Sequence, residues 1–91
     1  MGLEKLVAVS DVKLEDVVRR LGDAMVVMID GALVAPGRAL PETWREARLR
    51  TPGGTVTVAR RPGGVAVVVF GNADEALRAQ QERVVAALQE K

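Results

Sequence analysis

Residues 46–70 read E-A-R-L-R-T-P-G-G-T-V-T-V-A-R-R-P-G-G-V-A-V-V-V-F, and their reading decides the fold. Pro-Gly-Gly stands at 52–54 and again at 62–64. Proline presets the first corner of a turn and glycine tolerates the positive φ of the second, so each triplet predicts a chain reversal. The stretches between are rich in Val and Thr, which suit a pleated strand. Glu46 to Arg50, followed by two near-repeats from Thr51 and Arg61, therefore predicts a three-strand antiparallel meander. Thr55, Thr57 and Ala59 alternate with Val56 and Val58, which gives that strand one buried face. Residues 65–70 are apolar on both faces and predict a strand inside the sheet. Two short copies are too few for a solenoid.

Upstream, residues 24–35 read A-M-V-V-M-I-D-G-A-L-V-A. Asp-Gly between two apolar runs predicts a two-residue hairpin turn, since a type I′ turn needs positive φ at both central positions. Its first strand, 25–29, is apolar on both faces and reads as central. Pro36 and Pro41 break any long element in 36–44, although a helical turn at 41–45 suits Pro41 at its first position. Over 3–21, Leu3, Val7, Ser10, Leu14, Val17 and Leu21 recur at steps of four and three, the signature of one amphipathic helix stopped by Gly22. A competing reading makes 6–9 a short strand, with the helix starting after Ser10 or Asp11. A second helix is predicted over 72–91. Asn72 and Glu75 have capping-box spacing, Lys91 suits the negative end, and Leu77, Val84 and Leu88 with Ala73 and Val85 form the apolar stripe, on which Gln81 also falls. The expected fold is a single α+β domain, 1–91, with an antiparallel sheet of about five strands (hairpin plus meander) packed by an N-terminal and a C-terminal helix.

Composition narrows the chemistry. The 91 residues include no Cys, His or Tyr. That removes disulfides, thiol nucleophiles, imidazole bases and zinc sites built on thiolate or imidazole. No window of eighteen consecutive apolar residues and no basic leader occurs, so the expectation is a cytoplasmic chain with no membrane partner. Ten Arg against three Lys, with a single Asn, lean toward a thermophilic or GC-rich source.

Net charge is +1, but unevenly spread. Residues 1–37 carry four basic and six acidic side chains, net −2; residues 38–61 carry six and two, net +4; residues 62–91 carry three and four, net −1. Within the basic island, Arg48 and Arg50 share one strand face, Arg60 and Arg61 close the next strand, and Trp44 lies nearby. These five are the candidate partner-binding residues: arginine grips carboxylates and phosphates, and Trp with Arg dominates interface hot spots. Against them stand plainer roles, a solvated strand face with edge-guarding charges and a Trp44 that lids the core. The Pro-Gly-Gly turns could form anion nests, but they lead into strands and lack the Lys-Ser or Lys-Thr of a phosphate loop. Asp11, Glu15 and Asp16 read as an exposed helix face, not as metal ligands. No catalytic residue, cofactor or metal is expected.

The element order resembles the roadblock (dynein light-chain) domain family, whose order is helix, strand, strand, helix, three strands, helix. The resemblance rests on G-D-A-M-V-V-M-I-D-G-A-L-V-A at 22–35 and T-V-T-V-A-R-R-P-G-G-V-A-V-V-V-F-G-N-A-D-E-A-L at 55–77. Only residues 41–49 are there to supply the family's long middle helix. The resemblance implies a homodimeric scaffold that binds or regulates a small GTPase without catalytic residues of its own.

The expected function is a non-enzymatic protein–protein interaction module, a homodimer whose arginines meet an acidic-surfaced protein. One alternative is a nucleic-acid-binding module using the basic β-face. It is weakened by having only Trp44 and Phe70 to stack on bases. The other is a small ligand-binding domain or enzyme without His or Cys chemistry, which requires a concave pocket with converging polar groups.

Overall fold

The computed structural model describes residues 2–9, 11–35, 37–71 and 75–89. The strands are β1 (Gly2–Val7), β2 (Met25–Ile29), β3 (Ala32–Leu33), β4 (Glu46–Thr51), β5 (Gly54–Arg61) and β6 (Gly64–Phe70); the helices are α1 (Leu14–Leu21) and α2 (Glu75–Gln89). One antiparallel sheet has the order β1-β6-β5-β4-β2-β3. The α+β class and the three-strand meander are as the sequence predicts, with six strands in place of about five.

The sixth strand comes from the segment expected to begin a long helix. Residues 2–7 are β1, and α1 spans only Leu14–Leu21. Leu3 and Val7 satisfy a helical step of four, but they equally satisfy the strand period of two. The tie is broken by a tertiary demand. β6 is apolar on both faces and needs a neighbour on each side, and β1 pairs along it from Gly2–Phe70 to Val7–Val65. The N-cap of α1 is Lys13, which makes no side-chain cap. Gly22, at φ 78°, ends the helix by donating its N–H to the Val18 carbonyl, as expected of a left-handed stop.

The hairpin forms at Asp30-Gly31, both with positive φ (51° and 83°). Its first strand, expected to be central, lies next to the sheet edge, since β3 beyond it has two residues. The Asp30 carboxylate also accepts hydrogen bonds from the backbone N–H groups of Arg45 (2.8 Å) and Glu46 (3.0 Å). The turn thereby fixes the start of β4. These bonds hold the Asp30 carboxyl below its usual pKa of 3.8. Residues 37–45 are irregular, and the expected helical turn at 41–45 is absent. The observed order thus begins with a strand and has no helix between β3 and β4 among the described residues. The expected Asn72 cap with its Ala73 neighbour, and the Lys91 terminus, lie outside those residues.

Both helices cover the same face of the sheet. There Val56 and Val58 of β5, Val65, Val67 and Val69 of β6, and Leu49 of β4 pack with Leu14, Val17, Val84 and Leu88. The helices are tied to each other by polar bonds at their ends. Arg83 pairs with Asp23 at 2.7 Å and donates to the Leu21 carbonyl, while Arg20 donates to the Ala87 carbonyl at 2.9 Å. Gln81, the polar residue on the apolar stripe, faces neither solvent nor a partner. Its buried amide donates to the carbonyls of Leu3 (3.1 Å) and Val67 (2.9 Å), clamping α2 across β1 and β6. Glycine is required where elements close on the turns. A Cβ at Gly54 would overlap Leu77 of α2, and one at Gly64 would overlap the Val7 carbonyl.

Two predictions follow from these contacts. Gln81→Glu would aim a buried carboxylate at two carbonyl oxygens, so at pH 7 it should unfold more easily than Gln81→Leu by about 2 kcal/mol or more. Urea melts of the two variants decide this, and equal midpoints would contradict the clamp. Asp30 has a folded pKa below its unfolded one, so its contribution is present above pH 3.8 and lost as pH falls through the folded value. Melting temperatures from pH 7 to pH 2.5 should therefore fall less for Asp30→Asn than for the wild type; parallel curves would show that the carboxylate is not coupled to folding.

Candidate functional site

The candidate site is the other face of the sheet, which no element among the described residues covers. Side chains of directly paired residues in antiparallel strands point the same way, so the register assigns each one. Glu4, Val68, Thr57, Arg48, Met28 and Leu33 form one row across all six strands. The row beside it holds Gly2, Phe70, Thr55, Arg50 and Met25. On the other side Leu6, Ala66, Ala59 and Glu46 line up, and beyond them Arg61 pairs with Gly64.

An antiparallel sheet facing water on one side normally presents polar side chains there. This one does not. The four large exposed hydrophobic residues among those described, Leu33 (84% exposed), Phe70 (65%), Leu6 (55%) and Met25 (46%), all fall in these rows. Between them Thr57, Ala59, Ala66 and Val68 form a low floor, buried among taller neighbours. A shallow groove at one end is lined by Met28, Leu33 and Phe70 together with Arg48, Arg50 and Thr55. Patches of this kind mark surfaces that associate.

The five expected partner-binding residues divide between the two faces. Arg48 and Arg50 are exposed on the open face, and neither has an ion pair among the described residues. Arg61 shares the face and reaches across β6 to Glu4, at 3.7 Å, an exposed pair that contributes little. Arg60, one residue earlier, points to the opposite side. Its guanidinium lies 4.6 Å from the Trp44 ring centroid and donates to the Val12 carbonyl at 3.0 Å. Trp44 is 3% exposed, belongs to the core and donates to the same carbonyl at 3.3 Å. Of the roles open to Trp44, its burial fits the lid. Arg60 and Trp44 together pin the segment leading into α1. The strand period separates Arg60 from Arg61, a signal already present in the alternation of Val56 and Val58.

Phe70, Leu33, Leu6 and Met25 are the site residues that sequence reasoning missed. Their type suggested core, and only the placement of both helices on one face leaves them exposed.

Among the described residues no three acidic side chains gather into a cation-binding group. Asp16 pairs with Arg19 one turn along α1. Both Pro-Gly-Gly triplets are plain turns between strands. No helix among the described residues is long and apolar enough to cross a membrane. Comparison with protein-family models, with curated proteins and with solved structures finds no match to this chain.

Proposed function

We propose that this chain is a non-enzymatic protein–protein interaction module that docks through its open sheet face, with a second copy of itself as the occupant. The observation that carries the reading is that, among the described residues, the four large exposed hydrophobic side chains lie on the one uncovered sheet face, beside two arginines without ion-pair partners among those residues. The exposed positions of α2 among the described residues are Glu75, Ala76, Arg78, Ala79, Glu82, Ala86 and Gln89, small or polar throughout, while a smaller apolar cleft beside α1 is lined by Val18, Met25, Val26, Val34 and Leu40. A nucleic-acid backbone would need a run of cationic contacts. Here Arg60 is turned inward and Arg61 is paired, which leaves two arginines among apolar neighbours and favours a protein surface.

A four-strand patch of this face measures about 19 by 20 Å at usual strand spacing and rise, roughly 380 Å² on each copy, which is below the area of stable specific interfaces and fits a weak, transient pairing. The expected behaviour is a reversible monomer–dimer equilibrium. Sedimentation velocity from about 1 to 500 μM should show the sedimentation coefficient rising with concentration. Phe70→Ser should shift that curve at least tenfold to higher concentration, while Ala79→Ser on the helical side leaves it unchanged. A monomer throughout the range would overturn the reading.

A further inference from the structure

We infer that a cleft at one end of the sheet, beside Arg60, is a binding site for a monocarboxylate with an aliphatic body. The site is separate from the open face and does not depend on what covers that face.

The cleft has a volume of about 660 Å³ and opens where the β5–β6 turn faces the segment joining β1 to α1. That size is usual for a small-molecule site. Val9, Val12 and Val65 give it aliphatic walls, and Ala8 borders it from an exposed position. Gly63 and Gly64 line it from the turn without side chains. A Cβ on Gly63 would meet nothing within 4 Å, so that side is open.

Arg60 supplies the charge. Removing a cation from water costs free energy, which a counter-ion offsets. The half-buried Arg60 forms no ion pair among the described residues. Its partners are neutral: the Trp44 ring, with its centroid at 4.6 Å, and the Val12 carbonyl at 3.0 Å. They hold the group in place but bring no countercharge. One carbonyl cannot accept from every N–H of a guanidinium, and the buried Nε has no acceptor. The side chain is therefore pre-positioned with its charge unanswered, and arginine answers a carboxylate with paired N–H···O bonds.

The same features set the class of ligand. Arg61 also borders the cleft, but it is turned toward Glu4 on the open face. Of the described residues lining the cleft, Arg60 is thus the one cation on its own side of the sheet. It matches a monoanion; the second charge of a phosphate dianion would lie against valine. A bare anion would leave the valines wet, whereas an aliphatic chain on the carboxylate covers them. A free aliphatic acid and the C-terminus of a peptide ending in an aliphatic residue share this chemistry.

Trp44 makes the test direct. It is the only Trp in a chain without Tyr, so indole fluorescence reports on the ring that Arg60 covers. Titrating the full chain with sodium hexanoate should change the emission saturably by about 50 mM, with sodium chloride at equal ionic strength as the blank. Acetate should bind at least tenfold more weakly. N-acetylvaline stands in for a chain terminus: tighter binding than hexanoate assigns the peptide end, weaker binding the free acid. Arg60→Met should lose at least tenfold in affinity for hexanoate. Because that change also loosens Trp44, Ala8→Phe provides an independent check. It fills the cleft from an exposed position, so hexanoate binding should fall at least tenfold while the melting temperature is kept. Phe70→Ser, on the open face, should bind hexanoate as the wild type does; loss of binding there would place the ligand on the open face and overturn the assignment. No saturable change with hexanoate, an equal response to acetate or phosphate, or unchanged binding by Ala8→Phe would overturn it as well.

Discussion

β6 has no polar face to turn toward water, and its position between β1 and β5 makes it the strand around which the molecule is arranged. Its Val65, Val67 and Val69 face the helices and are fully enclosed. Ala66, Val68 and Phe70 face the other way, where Ala66 and Val68 are buried among the side chains of that face and Phe70 is exposed. Hydrophobic burial is roughly proportional to the apolar area removed from water, so most of the strand's potential is realised within the chain and the Phe70 side chain is what it leaves for association. A domain of this length buries a smaller share of its surface than a larger one, which makes the exposed remainder matter more.

The two faces are built with different chemistry. On the helical side, polar groups are few and answered: Gln81 spans two strand carbonyls, and Arg60 and Trp44 share the Val12 carbonyl. Only the Arg60 Nε lacks a partner among the described buried side-chain atoms. These bonds fix where α1 and α2 sit. On the open side the arginines and the apolar side chains are presented without internal satisfaction, apart from the exposed Arg61–Glu4 pair. Stability is therefore concentrated on one side of the sheet and recognition on the other, and a surface substitution on the open face should change association more than folding.

Much of this was legible in the sequence. The meander follows from its turn residues and Val-Thr alternation, the hairpin from Asp30-Gly31, and the end of α1 from Gly22, because each is a local preference that the tertiary structure keeps. The first strand was not legible as such, since Leu3 and Val7 fit both periodicities and the choice is made by β6, sixty residues away in sequence. The arginine island was visible as a charge excess, but a one-residue step along a strand sends Arg60 inward and Arg61 outward. Phe70, Leu33 and Leu6 carry no local mark of exposure. Their role depends on both helices choosing the same face, which is a property of chain topology.

The absence of cysteine allows the central claim, that the open face is covered by a second copy, to be measured with one introduced thiol. Thr55→Cys places it on the open face and Glu82→Cys places it on the exposed side of α2. Maleimide labelling rates should fall with rising protein concentration for Thr55→Cys and stay constant for Glu82→Cys. Equal, concentration-independent rates at both sites would contradict the account.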